Sequence, residues 1–253
     1  MKIKINGLTI NLETHGKGKI VIFLHGWGGN LHSLFPVARQ LNYKTVLIDL
    51  PGFGQSDLPN SPISSFEYAS IIQKLIESRG INKAVLIGHS FGGKIAAIIA
   101  SKNPEWLKGL VLISSPGVKL KKSLFVQLKK YTYKALKKII SIFPNNEKIL
   151  EKLRNLFGSE DFKNSKGIMR ETLKIVVNED ISNILREIES KTLLIWGKKD
   201  RDVPLKVGIK FNELIKNSKL IVYENAAHFP YLENFDTFLN DLNNFLSEVF
   251  KHE

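Results

Sequence analysis

The sequence predicts an α/β protein with a mostly parallel, doubly wound sheet, an N-terminal antiparallel hairpin and an inserted helical cap. Three observations lead to this fold class. Short apolar runs alternate with amphipathic helical stretches, as in βαβ units. Asn6-Gly7 separates two alternating segments, which is a strong hairpin signal. From residue 117 to about residue 190, helical periodicity continues without a strand signal.

The elements follow in order along the chain. The apolar and alternating runs predict strands at 2–5, 8–12, 20–24, 45–49, 84–87, 107–113, 192–196 and 219–223. Amphipathic periodicity and capping residues predict helices at 34–41, 65–79, from 90 onward, 205–216 and 235–250. We therefore expect a core of residues 1–116 and 191–253, with a helical cap, or lid, at 117–190.

The cap sequence has an apolar stripe and a basic side. The stripe comprises Leu124, Leu128, Tyr131, Ala135 and Ile139. All eight charged residues between 117 and 143 are lysines: Lys119, Lys121, Lys122, Lys129, Lys130, Lys134, Lys137 and Lys138. Such a face is usually only solvated. The alternative hypothesis is a docking surface for an acidic partner, such as an acyl carrier protein or an anionic membrane surface.

Composition narrows the possible functions. The chain has 253 residues, which suits one α/β domain with an insertion. It has no Cys, so disulfides, a thiolate nucleophile and Cys-based metal sites are excluded. The net charge of +13 comes mainly from lysine without an Arg-rich cluster, so we do not expect nucleic-acid binding. No signal-peptide or membrane-spanning pattern is evident, and we expect a cytoplasmic protein.

Residues 88–92, Gly-His-Ser-Phe-Gly, match the pattern G-x-S-x-G between a predicted buried strand and a predicted helix. A serine on such a sharp turn has a strained backbone and an exposed hydroxyl. Gly88 and Gly92 are expected because strand and helix approach too closely for a Cβ. The pattern predicts Ser90 as a nucleophile.

A serine nucleophile needs a histidine base, which a carboxylate orients. In this arrangement the chain order is Ser, acid, His, and only His228 and His252 follow Ser90. His228 comes directly after a predicted strand, whereas His252 lies in the C-terminal tail, so His228 is the candidate base. Asp200 is the candidate acid. Asp202 is the alternative, although we expect it to cap the helix that begins near Pro204.

An oxyanion hole needs N–H donors where negative charge develops on a carbonyl oxygen. The backbone N–H of Phe91, directly after the candidate nucleophile, is one expected donor. The other is the N–H of Trp27, in the glycine-rich turn after the strand at 20–24. Trp27 and Phe91 are therefore also the expected substrate-binding residues. His25, in the same turn, is expected to bond neighbouring loops rather than act as a base.

Together these motifs resemble the α/β-hydrolase superfamily across the whole chain except the cap. The resemblance implies Ser90, Asp200 and His228 as a catalytic triad, with Trp27 and Phe91 as oxyanion donors. The style of the motifs is similar to small carboxylesterases, including the pimeloyl-carrier-protein methyl ester esterases. Members of that subfamily often carry Trp where this chain has His89.

The implied activity is hydrolysis of carboxylic esters through an acyl-enzyme on Ser90, with a small-molecule ester as substrate and no metal or cofactor. Ser90 argues against dehalogenases and epoxide hydrolases, which use Asp there. Two alternatives remain. The same core motifs serve C–C bond hydrolases and lyases, and a triad can persist in a slow ligand receptor.

Overall fold

The computed structural model describes residues 1–120, 132, 140, 149 and 159–251. The predicted apolar stripe of the cap lies outside the described residues, as do all of the eight lysines at 117–143 except Lys119. Lys119 is exposed, and its backbone N–H donates to the Asp180 carboxylate at 3.2 Å.

The described chain contains one sheet of eight strands: β1 (Lys2–Ile5), β2 (Leu8–His15), β3 (Ile20–Leu24), β4 (Lys44–Ile48), β5 (Ala84–His89), β6 (Leu107–Ile113), β7 (Thr192–Gly197) and β8 (Ser218–Tyr223). Their order across the sheet is β1-β2-β4-β3-β5-β6-β7-β8. β2 pairs antiparallel with β1 and with β4, and the other pairings are parallel. The predicted fold class, including the hairpin, is confirmed.

The hairpin turn has the backbone that its sequence predicts. Asn6 and Gly7 have φ values of 50° and 87°, the left-handed conformation of a two-residue hairpin turn. β2 continues beyond the predicted end at residue 12, because Leu12 to His15 pair with β4 after the pairing with β1 ends.

The described helices are α1 (Phe35–Ala38), α2 (Ser65–Ser78), α3 (Phe91–Ala100), α4 (Glu160–Asn164), α5 (Gly167–Val176), α6 (Leu205–Leu214), α7 (Pro230–Glu233) and α8 (Phe235–Lys251). Helices α2, α3 and α6 pack on one face of the sheet, whereas α1 and α8 pack on the other. In β5, Ala84 and Leu86 face the first layer and Val85 and Ile87 face the second. Burial on both faces explains why residues 84–87 of this strand are uniformly apolar.

Two helix predictions need correction. The helix predicted at 34–41 is a 3₁₀ turn at Leu31–Ser33 followed by the single turn of α1. Asn30 starts this turn early, because its side chain accepts the His32 N–H at 2.9 Å. The helix predicted at 205–216 ends at Leu214, since buried Ile215 is already extended toward β8.

Between β6 and β7 the described residues form α4, α5 and a 3₁₀ helix at Ile184–Glu187, without a strand. The boundaries of the cap at 117 and 190 stay a prediction. In the described part of the chain, no helix has the length and apolar character needed to cross a lipid bilayer.

Candidate active site

Ser90 occupies the turn between β5 and α3. Its φ of 49° and ψ of −119° place a non-glycine residue in a strained conformation, as the motif predicts. The Ser90 N–H donates to the Ile113 carbonyl of β6 at 2.8 Å, which holds the turn at the carboxyl edge of the sheet. The helix begins at Phe91 rather than at Ser90. The serine hydroxyl therefore lies just before the positive end of α3.

Close backbone approach explains the glycines of this turn. A Cβ on Gly88 would overlap the backbone of Gly92 and Gly93 at the start of α3. A Cβ on Gly92 would overlap the carbonyl oxygens of Leu24 and His25 at the end of β3. Neither clash involves a flexible side chain that could move away. The turn therefore requires glycine at both positions.

The structure joins Ser90, His228 and Asp200 in a chain of hydrogen-bonding contacts. His228 lies after β8 and Asp200 after β7, at the same edge of the sheet as Ser90. His228 Nε2 lies 3.1 Å from Ser90 Oγ, and His228 Nδ1 lies 2.9 Å from Asp200 Oδ2. Since a carboxylate accepts, Nδ1 carries the proton and Nε2 faces the serine hydroxyl as an acceptor. These hydrogen-bonded side chains can accept the proton of the Ser90 hydroxyl.

Asp200 has the surroundings of an ionised carboxylate. Its side chain is fully buried, and Oδ1 accepts the N–H groups of Asp202 and Val203, each at 2.9 Å. Burial works to raise the pKa of Asp200, but the hydrogen bonds from His228 and Val203 prevail and hold the pKa below its ordinary value.

The helix-cap prediction for Asp202 is wrong. Pro204 precedes α6 at the cap position, and no side chain caps the helix there. Asp202 is exposed, and its backbone N–H donates to Asp200. The turn before α6 is thus organised by the Asp200 carboxylate, which accepts the N–H groups of Asp202 and Val203.

The two expected oxyanion donors belong to neighbouring residues. The rings of Trp27 and Phe91 are in edge contact, with centroids 5.2 Å apart. Gly26 lies directly against the candidate nucleophile, because a Cβ there would be 3.2 Å from Ser90 Cβ. The glycine-rich turn after β3 therefore approaches Ser90 closely. The role of the Trp27 and Phe91 N–H groups stays a prediction.

His25 bonds neighbouring loops, as expected. Its Nε2 accepts the Leu50 N–H at 3.0 Å and its Nδ1–H donates to the Gly26 carbonyl at 2.7 Å, so both ring nitrogens are occupied. Burial lowers the pKa of His25 to about 4. A neutral, fully bonded ring suits a structural role.

Asp49 is a structural residue of the site that the sequence analysis missed. The buried carboxylate accepts the Leu31 N–H at 2.7 Å, the Gln55 N–H at 2.8 Å and the Asn11 side-chain amide at 2.9 Å. It thereby connects the loops that follow β3 and β4. Its position as the polar last residue of a predicted buried strand was the available signal.

The segment between β6 and β7, which the sequence predicts as the cap, contacts the glycine-rich turn. Trp27 Nε1–H donates to Ser165 Oγ, just after α4, at 3.1 Å. Trp27 also contacts Phe53, with ring centroids 4.9 Å apart. Trp27, Phe53 and Phe91, the residue after Ser90, therefore form an aromatic wall, and Ser165 of the predicted cap is bonded to it.

Within the described ranges, one group of side chains offers the ligand atoms of a metal site: Asp200, Asp202 and His228, with atoms within 4.8 Å of one another. Two of its members already bond to each other through His228 Nδ1. A cation at this place would compete with that hydrogen bond.

Comparison with known proteins defines the class. The model of the alpha/beta hydrolase fold family matches residues 19–153 and 172–235, and the chain belongs to this family.

Individual relatives have two kinds of activity. The chain is 32% identical, over 87% of its length and 90% of the relative's, to a pimeloyl-(acyl-carrier protein) methyl ester esterase of Wigglesworthia glossinidia brevipalpis. It is 28% identical, over 96% and 92% of the two chains, to a 2-hydroxy-6-oxononadienedioate/2-hydroxy-6-oxononatrienedioate hydrolase of Klebsiella pneumoniae. A solved esterase from Exiguobacterium antarcticum shares the fold, with a TM-score of 0.76 and 24% identity over 97% and 98% of the chains. These comparisons support hydrolase activity.

Proposed function

We propose that this protein is a serine esterase that cleaves carboxylic esters through Ser90, His228 and Asp200. One observation carries the proposal: Ser90 Oγ, the His228 ring and the buried Asp200 carboxylate form one continuous chain, with contacts of 3.1 Å and 2.9 Å. The serine lies on a strained turn, so its hydroxyl faces away from the sheet. This arrangement suits acyl transfer.

In the proposed reaction, Ser90 Oγ attacks the ester carbonyl while its proton passes to His228 Nε2. The carbonyl π electrons move to oxygen, and the N–H groups of Trp27 and Phe91 stabilise that oxyanion. When the tetrahedral intermediate collapses, the bond to the alcohol breaks, and His228 returns the proton to the leaving oxygen. Water then attacks the acyl-enzyme by the same route and releases the acid. Asp200 stabilises the imidazolium throughout.

The aromatic wall supports an apolar acyl group. The Trp27 ring contacts both Phe53 and Phe91, the residue after Ser90, and Phe91 is buried while the other two are partly exposed. An acyl chain against these rings would gain contact area without desolvating a charge. The methyl ester esterases among the relatives are consistent with such a substrate.

We propose an acidic carrier protein as a partner that presents the ester. The carrier-linked substrates in the names of the relatives and the lysine-rich sequence at 117–143 support this proposal. Charge-driven docking accelerates encounter and is screened by salt. We therefore expect kcat/KM for a carrier-linked ester to fall steeply with salt. For the same acyl group on a small neutral alcohol, kcat/KM should not change with salt. If kcat/KM depends equally on salt for the two substrates, the lysines are only a solvated face.

A second candidate function is hydrolysis of a C–C bond in a vinylogous diketone. The relatives named as 2-hydroxy-6-oxononadienedioate/2-hydroxy-6-oxononatrienedioate hydrolases favour it, since the matches cover more than nine tenths of this chain. Product analysis with ester and diketone substrates separates the two reactions. A receptor that retains the triad would turn over neither substrate at a useful rate.

Replacement of the serine tests the proposal directly. We expect Ser90→Ala to lower ester hydrolysis by about 10⁴- to 10⁶-fold while the fold persists, because the covalent step is lost. A serine-reactive phosphonate should label the wild-type protein once, at Ser90. Labelling elsewhere, together with an active Ser90→Ala protein, would overturn the mechanism.

A further inference from the structure

His89 precedes Ser90 and lies inside the molecule at the end of β5. Only 3% of its surface is exposed, although an imidazole is polar. Its Nε2 lies 2.8 Å from the backbone carbonyl oxygen of His228, which is 139 residues away in sequence. A carbonyl oxygen accepts, so Nε2–H donates. His89 therefore connects the turn that carries Ser90 with the loop that carries His228.

The rings around His89 reinforce this connection. Its centroid lies 4.9 Å from that of His228, 5.2 Å from that of Phe229 and 5.0 Å from that of Tyr231. Tyr231 is buried, whereas Phe229 is exposed. His89 thus contacts both the ring and the backbone of His228. A displacement of the 228–231 loop would have to break these contacts together.

The surroundings of His89 also determine its protonation state. Burial, followed by the nearby His228, lowers the pKa of His89 to about 3, against smaller opposing effects of the hydrogen bond and of Asp200. The ring is neutral at neutral pH. This matters for the proposed reaction, because a second cation beside His228 would oppose formation of its imidazolium.

We propose that His89 is a positioning residue that holds the His228 ring within hydrogen-bonding distance of Ser90. The inference rests on the proposed function. Asp200 sets the tautomer of His228 by bonding to its ring, and His89 sets the position of His228 by bonding to its backbone carbonyl. A misplacement of about 1 Å can cost an enzyme about a hundredfold in rate. The N–H donor of His89, directly before Ser90, therefore serves to keep His228 in position.

A matched pair of substitutions separates the hydrogen bond from simple filling of space. The side chain of His89→Gln keeps an N–H donor at a similar reach, whereas that of His89→Met has similar length and no donor. We expect His89→Met to lower kcat for an ester by about tenfold with KM unchanged, because the His228 loop loses its bond. His89→Gln should stay within about threefold of the wild type. The control is His15→Met, on β2, where the side chain is 41% exposed.

Two further measurements do not depend on the substrate. The rate at which a phosphonate labels Ser90 should fall about tenfold in His89→Met and only slightly in His89→Gln. The downfield NMR proton resonance of the His228–Asp200 hydrogen bond should shift or broaden in His89→Met alone. If His89→Met does not fold, His89→Phe supplies the comparison, as a ring without a donor.

The outcomes are distinguishable. If the Met and Gln variants both keep the wild-type labelling rate and the wild-type kcat, the positioning role is overturned and the proposed function stays intact. Equal losses in both variants would also overturn it, since only packing would then matter. Absence of any Ser90 labelling in the wild-type protein would instead contradict the proposed function itself.

Discussion

At the scale of single residues, two nearby aspartates have different surroundings. Asp200 is buried and bonds to His228, whereas Asp202 is exposed and contributes a backbone N–H to the Asp200 carboxylate. The sequence predicted Asp200 as the acid because it lies nearer to the end of the predicted strand and because Asp202 was expected to cap the next helix. The structure supplies a physical difference between the two carboxylates, and this difference leads to a prediction.

We expect Asp200→Asn to lower kcat by about 10³- to 10⁴-fold with little change in KM, because the amide no longer stabilises the imidazolium of His228. Asp202→Asn should keep activity within about threefold and stability within about 0.5 kcal/mol, since an exposed side chain changes there. Steady-state kinetics and denaturant unfolding measure both effects. The reverse ranking in kcat would reassign the acid to Asp202.

At the scale of secondary-structure elements, a buried lysine joins α3 to the end of α5, a helix of the predicted cap. Lys94 is 2% exposed, and its ammonium donates to the Val176 carbonyl at 2.6 Å and to the Glu179 carbonyl at 3.2 Å. The Glu179 carboxylate lies 3.3 Å away and also accepts the Ser65 N–H at the start of α2. The cation lies at the carboxyl end of α5, where it interacts favourably with the helix dipole. Three elements meet at this ion pair.

We expect Lys94→Met to destabilise the protein by about 3 to 5 kcal/mol, because Glu179 and two backbone carbonyls lose a buried partner. The double variant Lys94→Met/Glu179→Gln should lose less than the sum of the two single variants, since it also removes the unpaired charge. Urea unfolding of the four proteins measures the coupling. Additive losses would show that the ion pair does not couple α3 to the cap.

At the scale of the whole molecule, two buried neutral histidines make the fold sensitive to acid. Burial lowers the pKa of His25 to about 4 and that of His89 to about 3, from an ordinary value of 6.5. Below pH 6.5 the unfolded chain binds protons that the folded chain excludes, so stability is lost as pH falls. The depressed pKa of Asp200 acts in the same direction at lower pH.

We expect the free energy of unfolding to be highest above pH 6.5 and to fall as the pH decreases toward 4. The loss from His25 alone is on the order of 3 kcal/mol over this range. Denaturant unfolding at a series of pH values measures the slope. His89→Gln should make it shallower, because one of the two groups no longer titrates. A free energy independent of pH between 6.5 and 4 would contradict this account.

Much of the architecture follows from local patterns in the sequence. The strand at Leu107–Ile113 has the predicted bounds, and α2 ends one residue before the predicted end at Arg79. Each is a long, strongly patterned segment, in which neighbouring residues already define the period. The helix predicted at 34–41 is wrong because the Asn30 side chain caps a 3₁₀ turn at Leu31–Ser33, and only a single helical turn at Phe35–Ala38 follows it.

The candidate site also has a part that the sequence predicts and a part that it does not. Ser90, Asp200 and His228 were identifiable because each follows a predicted strand, and strand ends of a parallel sheet meet at one edge. Their contacts, and the bonds of Lys94 and His89, involve residues far apart in sequence. A periodic pattern contains no information on such partners.

The sequence by itself thus determined the fold class, the order of the strands along the chain and the turn that displays Ser90, since these depend on hydrophobic period and on glycine. Only the tertiary structure decided the order of the strands across the sheet, the buried state of Asp200, the neutral charge of His89 and the attachment of α5 to Lys94. The physical reason is that burial, pKa and hydrogen-bond partners are properties of packed neighbours, which long-range folding brings together.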